Sequence, residues 1–253
     1  MTLRRWNRWA VLIFLLGRFA RAQDITVAAA SDLRFAMPEI TALFQNNTGK
    51  TVKVVYGSSG NFFQQIQSGA PFDLFFSADL EYAKKLVAAG LAEPGSLYRY
   101  ATGKIVIWVP ADSKVDLEDG LTALVDPAVR KVAIANPEHA PYGQAAVAAL
   151  KKEHLYATVA DKLVLGENIS QAASFVVSGA ADAGIVALSL ALSPAMKGKG
   201  RHFEIPPADY PAIEQGCLML KASLNKEAAG AFLEFMKTAP VAAILRRHGF
   251  GVP

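Results

Sequence analysis

The sequence predicts an α/β fold in two lobes, and three observations lead there. Short β-branched or aromatic runs alternate with longer stretches of helical periodicity, which is the pattern of mostly parallel strands joined by helices. The first two β-branched runs, Ile25-Thr26-Val27 and Thr51-Val52-Lys53-Val54-Val55, each lead into a small-residue turn and then a helical pattern. Two stretches rich in Gly and Pro, residues 91–102 and 193–211, interrupt the alternation where the chain can cross between lobes. A first lobe of residues 23–103, completed by 205–253, and a second of 104–204 follow from those crossings. Two crossings make a hinge, with a ligand cleft between the lobes.

The first element is a leader. Residues 1–22 carry Arg4, Arg5, Arg8, Arg18 and Arg21, an apolar run over 10–16, and small residues at Ala20 and Ala22. This is the form of a secretory signal peptide cleaved after Ala22. The apolar run is too short to span a bilayer comfortably, and no cysteine stands near residue 22 to carry a lipid. The leader also explains the basic balance of the chain. The formal net charge is +4, and without the five leader arginines it falls to about −1. A nucleic-acid or anionic-membrane partner therefore has no support from charge.

The mature chain opens with a strand at 24–30 and a helix at 33–46, then a strand at 51–56 and a helix at 60–68. A strand at 72–76 gathers Phe72, Phe75 and Phe76, which suit a core better than a stacking platform, and a helix at 79–89 follows. The second lobe has strands at 104–109, 131–135, 183–187 and 201–205, an alanine-rich helix at 143–153 and another at 169–178. The chain returns through a strand at 216–220, where the lone Cys217 lies in an apolar run and reads as a buried structural thiol. Helices at 225–237, with Asn225 in a cap position, and 240–247 close the chain.

Four loop-to-helix junctions carry the chemistry. Ser31 ends the first strand, where open α/β sheets bind ligands. It is either a ligand donor or, with Asp32, a cap on the helix beginning near Leu33. A carboxylate at Asp32 would repel an anion, so it is expected to accept bonds from helix N–H groups. Ser58 and Ser59 lie between Gly57 and Gly60, whose missing side chains let backbone amides approach a ligand. In Asn136-Pro137-Glu138-His139-Ala140-Pro141-Tyr142-Gly143, Pro141 suits a helix start. Tyr142 is then a neutral donor at the helix mouth or a ring packed on the lobe surface. Gly166-Glu167-Asn168-Ile169-Ser170 is the fourth junction. Together these place hydroxyls, amides and helix dipoles where they attract an anion without Lys or Arg.

Enzymatic alternatives find little in the chain. Neither serine of the 56–61 turn sits in G-x-S-x-G, and no G-x-x-x-x-G-K-[ST] loop occurs. His139, His154, His202 and His248 lack metal-ligand spacing and read as scattered surface or core residues. A secreted hydrolase using Ser31 or Ser59 would need a general base beside the serine, and no histidine neighbours either.

Taken together, the chain resembles the periplasmic molybdate-binding proteins of ABC transporters over essentially all of residues 24–250. The resemblance rests on Ala28-Ala29-Ala30-Ser31, Gly57-Ser58-Ser59, the run from Gly69 to Asp79 (GAPFDLFFSAD), the Asn136–Pro141 loop, Ala183-Gly184-Ile185-Val186 and Arg247-His248-Gly249-Phe250. It implies a two-lobe periplasmic binding protein of type II-like architecture that closes over a tetrahedral dianion, acting as a monomer in the periplasm. It implies molybdate or tungstate as the transported ligand, no further cofactor, no enzymatic activity, and an inner-membrane permease as partner. By the same resemblance Ser31 and Ser59 bind oxyanion oxygens, Ile169 donates its backbone N–H, and Tyr142 is a second-lobe contact. Asp32 and Ser58 stand beside them. Ala187 departs from the pattern, since many relatives place a tyrosine there, and Tyr142 could supply the missing hydroxyl. Sulfate, phosphate or another small anion is the alternative ligand.

Overall fold

The computed structural model describes residues 25–253, and the expected leader, residues 1–22, lies outside them. The described chain forms two five-stranded sheets flanked by helices. The first sheet takes β1 (Ile25–Ala30), β2 (Val52–Gly57), β3 (Leu74–Ser77), β4 (Tyr98–Gly103) and the late β10 (Ile213–Met219), in the order β2-β1-β3-β10-β4. The second takes β5 (Ile105–Pro110), β6 (Val132–Ala135), β7 (Leu163–Gly166), β8 (Ala183–Ala187) and β9 (Gly200–Glu204), in the order β7-β6-β8-β5-β9. In each sheet three strands run parallel, and one reversed strand, β10 or β5, joins them to the outermost. The helices are α1 (Ala36–Thr48), α2 (Ser59–Gln67), α3 (Leu80–Ala88), α4 (Pro141–Lys152), α5 (Tyr156–Val159), α6 (Ile169–Val177), α7 (Leu188–Ala191), α8 (Lys226–Met236) and α9 (Ala239–Arg247).

Strand β1 shows why the sheets are sandwiched. Ile25, Val27 and Ala29 pack with Met37, Ile40 and Phe44 of α1 and Phe232 of α8. Ala28, between them, faces the opposite layer with Phe62, Phe75 and Leu86. A strand covered by helices on both faces is apolar along its length rather than alternating. Helix α1 buries Ala36, Met37, Ile40 and Phe44 at helical spacing and stops at Gly49, whose φ of 70° few other residues adopt without strain. Cys217 is fully buried, and burial pushes its thiol pKa up, as a structural cysteine requires.

Five elements differ from the sequence expectation, two of them the short helices α5 and α7, which it did not contain. Residues 98–103, expected within a linker, form β4, which pairs antiparallel with β10 and buries Tyr100. Leu163–Gly166 adds β7 at the edge of the second sheet. The helix expected from Leu33 begins at Ala36, and Ser31–Leu33 is instead a single 3-10 turn. The chain passes between sheets at Lys104 and returns between Glu204 and Ile213.

Candidate functional site

The C-terminal ends of β1, β2 and β3 face those of β6 and β7 across a narrow cavity of about 10 Å³. Ser31, Asp32, Ser58 and Ser59 line it from one side, Tyr142 and Ile169 from the other, with Ala30, Gly57, Ala78, Ala140 and Pro141 completing the wall. Six of the seven expected site residues are thus brought together, and among the described residues no Lys, Arg or His lines the cavity. Ala187 is the exception. It ends β8 fully buried, paired with Ile105, and is not part of the wall.

Ser59 begins α2 and its hydroxyl oxygen accepts the Ala78 N–H at 2.9 Å, which leaves its own proton to donate. Ser31 is gripped by the opposite lobe. Its Oγ donates to Asn168 Oδ1 at 3.1 Å and accepts from the Ser170 N–H at 3.3 Å, while Ser170 Oγ donates to the Ser31 carbonyl at 2.9 Å. Asn168 also caps α6 by accepting from the N–H groups of Ser170 and Gln171. Ser31 does not cap a helix, the alternative its sequence position left open. Ser58 occupies the N-cap position of α2, but its Oγ lies 2.9 Å from His139 Nδ1 in the other lobe.

His139 therefore corrects the expectation of scattered histidines. It reaches the cavity rim on the 136–140 loop, and its carbonyl accepts the Gly60 N–H at 2.9 Å. A Cβ at Gly60 would stand 2.7 Å from that carbonyl oxygen, so only glycine allows this approach. Beside it Asn61 donates to Glu167, whose Oε2 lies 3.8 Å from His139 Nε2.

Asp32 departs most from expectation. Its carboxylate bonds side chains rather than chiefly helix amides. Oδ2 accepts the Tyr142 hydroxyl at 2.9 Å and Gln215 Nε2 at 2.6 Å, while Oδ1 has no hydrogen-bond partner among the described residues. Burial pushes its pKa up to about 6, with Gln215, Tyr142 and the backbone amides of Asp32 and Leu33 opposing part of the rise. Gln215 also donates to the Tyr142 oxygen at 3.0 Å and accepts from the Tyr100 hydroxyl at 2.7 Å. Burial holds both tyrosines neutral, with pKa values well above the ordinary phenol range. Gly103 makes room for the network, since a Cβ there would lie 2.2 Å from the Tyr142 hydroxyl.

In this arrangement the one Tyr142 hydroxyl proton goes to Asp32. The Tyr142 main-chain N–H follows Pro141 in the first turn of α4, has no carbonyl within the helix to bond, and is a free donor toward the cavity. The amide of Ile169, first in α6, is in the same position. The N-termini of α2, α4 and α6 thus bring partial positive charge and unpaired donors to one cavity. Among the described residues no three His, Cys, Asp or Glu side chains cluster as a metal site.

Sequence signals for Asn168, Gln215, Tyr100 and His139 were weak. Asn168 alone stood in a recognisable capping position, before a helical run.

Comparison with known proteins places this geometry. Residues 25–251 match the family described as bacterial extracellular solute-binding protein. The molybdate-binding protein ModA of Rhodobacter capsulatus is 39% identical, over 98% of this chain and 96% of its own length. The solved periplasmic molybdate-binding protein of Azotobacter vinelandii superposes with a TM-score of 0.86 at 34% identity, covering 90% of this chain and 99% of that one. The sulfate-binding protein SubI of Mycobacterium tuberculosis shares the fold, with a TM-score of 0.71 at 19% identity over 90% of this chain and 86% of that one.

Proposed function

The chain belongs to the family of bacterial extracellular solute-binding proteins, and we propose that this member captures molybdate, or the similarly sized tungstate, outside the cytoplasm and delivers it to a membrane ABC permease. The supporting observation is the cavity wall, which offers neutral donors from both lobes and no cation. Fixed N–H and O–H dipoles hold a dianion without a counter-ion when helix N-termini converge on it. Ser59 donates its free hydroxyl proton, Ser31 turns its proton from Asn168 to an anion oxygen, and Tyr142 and Ile169 donate main-chain N–H groups. Ser58 acts through His139 at the lobe boundary rather than on the anion. A rigid set of donors discriminates by size, and molybdate and tungstate are larger than sulfate.

The lobes of this reading are residues 23–103 with 205–253, and 104–204, hinged at the two crossings. Export by the leader, with cleavage after Ala22, brings the chain to the periplasm. Catalysis has no part in it. Hydrolysis at Ser58 has one observation in its favour, His139 Nδ1 at 2.9 Å, with Glu167 beyond. The Glu167 carboxylate, however, lies 3.8 Å from the ring and is largely exposed, so it does not orient the imidazole as a triad acid must.

A melting-temperature screen with molybdate, tungstate, sulfate and phosphate tests the assignment. Stabilisation by the first two alone is expected. Equal stabilisation by sulfate would move the chain to another anion, and no shift with any of the four would remove the oxyanion reading.

A further inference from the structure

We infer that Asp32 is a proton-linked latch: the lobes close over the anion with one proton taken up on its carboxyl group. The inference rests on the anion capture proposed above. Among the described residues Asp32 contributes the one carboxyl group in the cavity wall, and it is 1% exposed. Two donors occupy Oδ2, the Tyr142 hydroxyl from the opposite lobe and Gln215 Nε2 from its own. Oδ1 has no hydrogen-bond partner among the described residues, and the nearby Asp32 and Leu33 amides oppose protonation less than burial favours it, so Oδ1 is the atom that receives the proton.

The surroundings provide no compensating charge. Helices α6 and α7, packed on the 31–33 turn, carry no titratable side chain. Strand β2 presents Tyr56, over whose ring the Arg34 guanidinium lies at 5.9 Å, and its Lys53 is exposed. Strand β4 presents Tyr100 and α4 presents Tyr142, both neutral, while β10 presents the uncharged Gln215. Arg99 of β4 and Glu214 of β10 pair with each other at the surface.

An ionised carboxylate beside a bound dianion is repelled in a low-dielectric cavity, whereas a neutral carboxyl group is tolerated and can donate. With the lobes apart, Asp32 loses Tyr142, meets water and ionises as an ordinary carboxyl group. Closure then converts carboxylate plus solvent proton to carboxylic acid, and release of the anion returns the proton. The rise of the Asp32 pKa to about 6 by burial agrees in direction, and the anion's charge pushes it further.

Titration calorimetry of the mature chain with sodium molybdate, between about pH 6 and 8 in buffers of different ionisation heat, counts the proton. Close to one proton taken up per molybdate is expected, with affinity falling up to about tenfold per pH unit. Asp32→Asn keeps an amide oxygen for Tyr142 and Gln215 and is always neutral, so its uptake should vanish and its affinity become independent of pH. His139→Gln removes the rim imidazole, the group other than Asp32 best placed to titrate between pH 6 and 8, and should retain the uptake. No uptake in the wild type, equal uptake in Asp32→Asn, or loss of uptake in His139→Gln would each overturn the latch. If Asp32→Asn does not fold, the wild-type and His139→Gln counts still decide. Absence of any molybdate heat with folded wild-type protein would instead overturn the capture reading.

Discussion

Gly60→Ala separates lobe closure from lobe stability. Gly60 is the second residue of α2, where alanine is an acceptable helix former, so the substitution costs the first lobe little. The conflict arises only across the cleft. A Cβ would meet His139 O at 2.7 Å and His139 Cα at 2.9 Å, both backbone atoms that cannot swing aside. Closure must then widen at the rim, losing the 2.9 Å Gly60 N–H bond to His139 and straining the 136–140 loop. One hydrogen bond contributes about 1 kcal/mol and overpacking of this kind about 1–3 kcal/mol. Closed-state stability should therefore fall by about 2–4 kcal/mol, which weakens molybdate binding roughly 30- to 1,000-fold. Calorimetry reads the affinity, and circular dichroism melting without ligand shows the lobes to be intact. Wild-type affinity in Gly60→Ala would refute the view that the rim contact forms part of the bound state.

Four further outcomes follow from the same geometry. Ser59→Ala removes a hydroxyl whose proton is free to donate, and should weaken molybdate binding by about 1–3 kcal/mol in calorimetry. Tyr142→Phe keeps the ring but strips Asp32 of its donor from the opposite lobe, and should cost about 1–3 kcal/mol of closure, read as faster molybdate release in stopped-flow. Because the Asp32 pKa rises from 3.8 to about 6 when closure buries it, the closed state, held shut by saturating molybdate, binds the proton more tightly than the unfolded one. Stability is then lost as pH climbs through that interval, by about 3 kcal/mol in all, so Asp32→Asn should melt higher than wild type at pH 7 and lose its advantage toward pH 4. Cys217 is fully buried, and thiol reagents should modify it only as the first lobe unfolds in denaturant.

Legibility in the sequence followed the range of the interactions involved. Strands covered on both faces are near-continuous apolar runs, and β1, β5, β6 and β8 were found on that ground, β5 although it runs against its neighbours. The two missed strands lie at sheet edges. In β4 aromatic and polar residues alternate, with Arg99 exposed, while β7 is four residues long and exposes Leu165. The turn serines, Tyr142 and Ile169 were legible because strand-to-helix junctions place them locally. Their partners were not. Ser58 meets His139 from 81 positions away, Tyr142 meets Asp32 from 110, and Gln215 meets Asp32 from 183. No local pattern encodes such pairs, and the bond from Tyr142 to Asp32 was not legible for that reason.

Those long-range pairs bear on how tightly the site can bind. In the closed arrangement Ser31 already donates to Asn168, Tyr142 to Asp32 and the Gly60 amide to His139. An anion entering the cavity adds bonds to the free Ser59 proton and the helix-end amides, but it must exchange the Ser31–Asn168 bond rather than fill a gap. Asn168 Oδ1 tolerates that exchange because it keeps the Ser170 and Gln171 N–H groups. The contacts between lobes therefore lower the cost of closure before the anion contributes, and a ligand shifts the equilibrium only by its preference for the closed form. An oxyanion too small to reach donors on both lobes gains no such preference. It can enter the open cleft without drawing it shut, so selectivity among oxyanions resides in the closure step and should weaken in any variant that spoils the rim.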